Sequence, residues 1–211
     1  MRHARFTSLA CFVVITAMST GIAGAATFSI TFQSYPVGPL GSPWYGSAAG
    51  SSFASVANVG GGNRALRLYG GTAAGDYASY STSFASTSAD QSIDFDLYPV
   101  ANASPALTVY GTGYSTHKSW RIWRDPSTGV LAANASSGIA NCAKLPAGRW
   151  SHVTIRLHPG TQTFDVLVKN AATACTRVSM LLGSPYHGVG VLDQSNEGWG
   201  GDSYFDNFAG H

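Results

Sequence analysis

The chain has 211 residues, only 10% of them charged, and a formal net charge of +2. Arg2 and Arg5 lie in an N-terminal leader, so the remainder carries ten basic and ten acidic residues. That balance argues against nucleic acid or an anionic membrane as the main partner, because both need a basic excess. The single glutamate, Glu197, excludes glycosidase mechanisms built on two glutamates.

The leader comes first. Arg2, His3 and Arg5 form a basic segment, and Leu9 to Met18 is an apolar run too short to span a bilayer. Ala23-Gly24-Ala25 is a small-residue cleavage site. The expectation is a signal peptide over 1–25 and one secreted domain over 26–211, of bacterial type. No later run is long and apolar enough to be a membrane span. Abundant Gly, Ala, Ser and Thr predict a neutral, hydroxyl-rich surface suited to neutral or weakly charged polymers.

Short alternating runs then fill the chain. Phe28, Ile30 and Phe32 alternate, and Ala65 to Tyr69 ends at Gly70-Gly71. Tyr77 to Phe84 is Ser/Tyr-rich and reads as an edge or surface strand. Ser92 to Tyr98 alternates cleanly and stops at Pro99. Ala106–Tyr110, Ser119–Arg124 and Val130–Ala133 follow. From Arg149 to Lys169 the pattern is sharpest. Val153, Ile155 and Leu157 alternate with His152, Thr154, Arg156 and His158, and Phe164, Val166 and Val168 resume the period after Pro159-Gly160. This predicts an antiparallel hairpin with one buried and one solvated face, closed by a type II turn with Gly160 at positive φ. Cys175–Leu182, Gly188–Asp193 and Ser203–Phe208 complete about a dozen strands. Many short strands with Gly/Pro turns and no amphipathic helix predict an all-β sandwich or barrel. Cys142 and Cys175 remain after the leader, and in an oxidising compartment they form one disulfide around the hairpin.

The strand Phe28–Phe32 with Pro36-Val37-Gly38, Trp44, Leu66-Arg67-Leu68, Phe95–Pro99, Gly148–Val153 and the closing Tyr204-Phe205-Asp206-Asn207-Phe208 resemble the concanavalin A-like lectin/glucanase superfamily, in particular its laminin-G-like bacterial exported members. The resemblance implies a two-sheet antiparallel jelly-roll sandwich, with glycans bound on the concave face or its rim. The glucanase signature is incomplete. Asp94 and Asp96 share a strand face, roughly 6.5–7 Å apart, but Ser92 stands where the first catalytic Glu would be.

Three groups of candidate site residues follow. For polysaccharide binding they are Trp199, Trp123, Arg121, His158, Trp44, Asp94 and Asp96, since sugar rings stack on aromatic faces and polar groups orient the hydroxyls. Trp199, set among glycines, is the foremost stacking candidate. The alternative is a polysaccharide lyase acting on uronate glycans, with His152, Arg156 and Tyr204 as its catalytic residues and Arg121 and His117 joining across the sheet. Its familiar strand motifs are absent: Tyr204-Phe205-Asp206-Asn207-Phe208 begins like one and then loses the Lys. The third group is oxygen-rich. Asp193, Glu197 and Asp202 would ligate a structural calcium, which laminin-G-like relatives often hold; otherwise no cofactor is expected. The sequence thus reads as a secreted, monomeric, polysaccharide-binding jelly roll.

Overall fold

The computed structural model describes residues 27–112, 121–169, 171, 175–180, 183–195 and 200–211, with backbone alone at 84–87, 111–112, 183–190 and 192–195. Residues 1–25, expected from the sequence to be a signal peptide, and Trp199, Glu197 and His117 lie outside the described residues.

The strands are β1 (Phe28–Ile30), β2 (Gly38–Pro39), β3 (Tyr45–Ala49), β4 (Phe53–Gly60), β5 (Asn63–Gly70), β6 (Asp76–Thr87), β7 (Gln91–Pro99) and β8 (Pro105–Thr112). They continue as β9 (Arg121–Arg124), β10 (Val130–Ala135), β11 (Gly138–Lys144), β12 (Ser151–His158), β13 (Thr163–Val168), β14 (Cys175–Ser179), β15 (Gly183–Ser195) and β16 (Gly201–Gly210). One 3-10 turn, Phe32–Ser34, follows β1. A nine-stranded sheet runs β14-β13-β12-β7-β16-β5-β4-β2, with β1 also on β16, and a seven-stranded sheet runs β11-β10-β9-β8-β15-β6-β3. Every pairing is antiparallel. The molecule is the expected two-sheet jelly-roll sandwich.

The alternation sets the packing. Ile93, Phe95 and Leu97 of β7, Val153, Ile155 and Leu157 of β12, and Phe164 and Val166 of β13 are buried between the sheets. Leu107 and Val109 of β8, Ile122 of β9 and Leu131 of β10 meet them from the seven-stranded sheet. Gly46 is needed for close approach, since a Cβ there would lie 2.0 Å from the Ser79 carbonyl oxygen on the neighbouring strand.

Four expectations are corrected. First, β6 lies between β15 and β3, so Tyr77–Ser81 is paired on both sides rather than at an edge; Ser79 and Ser81 stand on the outward face, and Thr82 is buried. Second, the β12–β13 loop is not a two-residue type II turn. Thr161 N–H donates to the His158 carbonyl and Gln162 N–H to that of Pro159, both at 3.2 Å, and Gln162 takes the positive φ of 53°. Successive type I-like turns ending in a left-handed residue give a four-residue loop. Third, Trp44 is a core residue, 5% exposed. Its ring packs 5.9 Å from Phe32 and 5.6 Å from Phe208, so it is unavailable to a ligand. Fourth, β16 does not alternate throughout. Its register shifts between Asp206 and Ala209, and Asn207 sits at φ 53°. This bulge turns Phe208 inward although it is three residues from the inward Phe205, and both are fully buried. The Asp206 carboxylate accepts the backbone N–H groups of Asn207 (2.8 Å) and Phe32 (3.4 Å), tying the bulge to the N-terminal 3-10 turn.

Arg124, which its sequence position marks only as a strand residue, is buried. It donates to the carbonyls of Leu145 (2.9 Å), Ala103 (3.0 Å) and Ala101 (3.3 Å), joining two loops. Burial lowers its pKa, and the carbonyl dipoles are its compensation.

Candidate functional site

The two outward faces of the sandwich carry different chemistry. On the nine-stranded sheet the register lines up polar residues of β12, β7 and β16. His152 pairs with Asp96, and Thr154 with Asp94. His152 Nδ1 is 2.8 Å from Asp96 Oδ1, and its Nε2 lies 3.3 Å from Asp94 Oδ1. The Thr154 hydroxyl donates to Asp94, Asn207 Nδ2 donates to Asp96 Oδ2 at 2.8 Å, and His211 Nδ1 stands 3.6 Å from Asp94 Oδ2. Asp94 and Asp96 therefore share one face, as their spacing requires. Their oxygens serve a cross-strand network that fixes three neighbouring strands.

Next along this face, Tyr204 pairs with Tyr98 on one side and Arg67 on the other. Arg67 holds Asp202 through Nε–Oδ1 at 2.6 Å and Nη2–Oδ2 at 3.0 Å, and this partner raises the guanidinium pKa. Tyr98 meets Trp150 at 5.6 Å and Tyr204 at 6.0 Å between ring centroids.

The residues named for lyase chemistry do not converge. His152 and Arg156 are four residues apart on one strand, about 13 Å, with Thr154 between them. Both ring nitrogens of His152 face carboxylates. The Tyr204 hydroxyl is pushed to higher pKa, first by burial and then by Asp202, which is opposite to what a proton-abstracting base requires. Arg121 belongs to the other sheet and cannot join them.

His158 ends the β12 row. Its Nδ1 is 2.9 Å from Asp90 Oδ2, and its Nε2 is 3.3 Å from Asp165 Oδ2. The bond to Asp90, reinforced by Asp165 against partial burial, raises its pKa above 6.5. A group whose folded pKa is raised stabilises fully below its unfolded pKa and loses that contribution as pH rises through the folded value. Thermal unfolding of wild-type and His158→Gln protein between about pH 5 and pH 8 should show the wild-type advantage greatest at the acid end and shrinking upward. An advantage independent of pH would refute the assignment.

The calcium set does not fit where it is described. Both Asp202 oxygens are taken by Arg67, so a cation there would face a guanidinium. Asp193 pairs with Ala78 and Pro105 in the opposite sheet, and Glu197 is outside the described residues. Among the described residues no group of three or more His, Cys, Asp or Glu is placed to hold a metal.

The outward face of the seven-stranded sheet is uncharged over most of its width. One cross-strand row reads Tyr45–Ser81–Gly190–Thr108–Arg121, and the next reads Ser47–Ser79–Leu192–Ala106–Trp123–Ala132. Its central strands β6, β15 and β8 place Ser79, Ser81, Gly188, Gly190, Ala106 and Thr108 on this face, with Leu192 on β15 and Tyr110 on β8 at the same parity. Larger residues stand on the flanks: Tyr45, 58% exposed, on β3, and Arg121 and Trp123 on β9. The row Ser81–Gly190–Thr108 is small between Tyr45 and Arg121 and forms a short trough, with the Leu192 row on one side of it and the Gly188–Tyr110 row on the other. Tyr45 and Arg121 are four strand spacings apart, about 19 Å. Ala106 and Thr108 are 4% and 8% exposed although they point outward, and their directly paired neighbours are Trp123 and Arg121. The Arg121 guanidinium lies over the Trp123 ring, 5.6 Å from its centroid, and burial lowers its pKa. On β3 and β6 the hydroxyls pair, Tyr45 with Ser83 at 3.2 Å and Ser47 with Tyr77 at 3.3 Å. The sequence reading found Trp123 and Arg121 but not the Ser/Gly/Thr floor, whose signal was the serine at every second position from Ser79 to Ser83.

This is an antiparallel β-sandwich of jelly-roll class with a short hydroxylated trough on its seven-stranded sheet. No protein-family model and no characterised protein sequence matches the chain. Solved structures identify the fold as concanavalin A-like. A sialidase superposes with TM-score 0.70 at 12% identity over 88% of this chain, which spans only 18% of the sialidase. Lectin II from Ulex europaeus superposes with TM-score 0.57 at 11% identity, covering 87% of this chain and 97% of the lectin. The carbohydrate binding module CBM66 from Bacillus subtilis gives TM-score 0.51 at 11% identity, covering 82% and 98%.

Proposed function

We propose that this protein is a secreted carbohydrate-binding jelly roll that engages a neutral or weakly charged polysaccharide along the trough of the seven-stranded sheet, acting as a monomer. The observation that carries the reading is the trough itself: a floor of Ser81, Gly190 and Thr108 between Tyr45 and Arg121, with Trp123 beside it on β9. Hydroxyls exchange hydrogen bonds with sugar hydroxyls, the glycines let a chain approach the backbone, and Trp123 and Tyr45 offer faces for stacking. Arg121 supplies donors, positioned over the Trp123 ring. Two full-length structural neighbours support the reading, one a lectin whose fold is also known in complex with galactose, the other a carbohydrate binding module. The basic, apolar, small-residue order of the leader supports export, as does the Cys142–Cys175 disulfide.

Affinity gel electrophoresis against soluble polysaccharides tests this. Trp123→Ala should weaken retardation about tenfold, the loss of roughly 1.4 kcal/mol, with Tyr45→Ala additive. Equal retardation of both variants and wild type would overturn the trough as the site. Ultraviolet absorbance from an unsaturated uronate product, abolished by His152→Ala and Tyr204→Phe, would instead mark a lyase.

A further inference from the structure

The nine-stranded sheet carries a feature that its polar network does not use. Gly148, at φ 75°, donates its N–H to the Pro99 carbonyl at 2.8 Å. This closes the turn before β12 and brings Trp150 beside Tyr98. Trp150 remains 41% exposed, a large value for an indole set against other rings. Tyr98 is tilted 56° to Trp150 and 76° to Tyr204. Three rings at such angles form a corner, not a flat platform. With Asn58, Val59 and Val100 they line an open cleft of about 370 Å³.

The lining sets the ligand's chemistry. All six residues are neutral, and the nearby Asp202 is already neutralised by Arg67. A charged ligand would lose hydration without gaining a counter-ion. The polar groups offered are the Asn58 amide and the tyrosine hydroxyls, which suit an uncharged, hydroxylated molecule, while the ring faces suit its C–H faces. A corner receives a ring end-on, whereas a trough receives a chain along its length.

From this geometry we infer a second carbohydrate site, at Trp150, Tyr98 and Tyr204, that takes the terminal ring of a neutral glycan. The inference rests on the carbohydrate-binding reading above. The two sites lie on opposite faces of a sandwich whose sheets are about 10 Å apart, and they point in opposite directions. One short glycan segment cannot occupy both. A protein with both sites joins two polysaccharide chains, and multivalent contact raises the avidity of the assembly.

Indole N–H signals distinguish the sites, because Trp150 and Trp123 are two of only five tryptophans. The probes are the methyl glycosides of glucose, galactose and mannose, with the Trp150 signal assigned from Trp150→Phe. The Trp150 signal should shift saturably with at least one probe. It should do so equally in Trp123→Ala, and the shift should be lost or reduced in Asn58→Ala, a variant at an exposed strand end that leaves the core intact. Wild type should also make solutions of a retarded polysaccharide turbid, while Trp150→Ala remains retarded without turbidity. A shift of Trp123 alone overturns the second site and leaves the trough standing. Failure of both signals to move overturns both readings. A Trp150 shift that follows protein concentration rather than sugar shows self-association and overturns the second site.

Discussion

Phe208→Ala is expected to be the most damaging single substitution in this fold, costing about 3–5 kcal/mol. Phe208 is fully buried. Its ring lies 5.6 Å from both Trp44 and Phe95, 6.1 Å from Phe205 and 6.4 Å from Phe32. Deleting it strips contacts from four rings at once, and the rigid sheets around it cannot collapse into the space. For a domain of this size each kcal/mol moves the midpoint by about 2–4 °C, so thermal unfolding should drop by about 6–20 °C. Phe208→Leu keeps part of the volume and should lose less. A companion substitution separates packing from backbone. Asn207→Ala puts an alanine where φ is positive and removes the bond to Asp96, so it attacks the bulge that turns Phe208 inward. Phe208→Ala behaving like a surface substitution, within about 0.5 kcal/mol of wild type, would mean that the ring is not in the core.

The same residue shows where sequence reading reaches its limit. Period-two alternation placed Val153, Ile155, Leu157, Phe164 and Val166 inside, and His152, Thr154, Arg156 and His158 outside, because side-chain direction along a regular strand is fixed by the backbone. It could not place Phe208, since one extra residue in a bulge reverses the parity of everything after it. Trp44 was misassigned for a related reason: Phe32 and Phe208 close on it from distant parts of the chain, and nothing local signals that closure. The candidate site was half legible. Arg121 and Trp123 were correctly placed on one face of their strand, and His152 and Tyr204 were correctly placed outward. Which sheet each strand joins depends on long-range pairing, and that decided that Arg121 serves the trough while His152 serves the opposite face. The trough floor was hardest to read, because glycine and serine announce turns as readily as they announce a surface cleared for a ligand.

Removing the disulfide should cost about 3–4 kcal/mol, by loop-entropy arithmetic for the 33-residue separation of Cys142 and Cys175. The pairing was legible from the cysteine count, but its place in the fold was not. Cys142 lies on β11, at the end of the seven-stranded sheet, and Cys175 on β14, at the end of the nine-stranded sheet. The bond therefore fastens two edge strands of different sheets, and it closes one long side of the sandwich. A second tie runs beside it, where the Ser136 hydroxyl donates to that of Ser179 at 2.7 Å and Ser136 N–H to the Ser179 carbonyl at 3.3 Å. Those neutral bonds, worth about 1 kcal/mol each, do not constrain the unfolded chain, so they cannot replace the covalent link. Cys142→Ala/Cys175→Ala should lower the urea midpoint and the thermal midpoint, the latter by about 6–16 °C. Reductant should bring the wild type down to the same midpoint and leave the double variant unmoved. β11 and β14, once released, present unpaired edges, so the double variant should also aggregate more readily on heating. A double variant as stable as wild type would show that packing along this side already holds the sheets together.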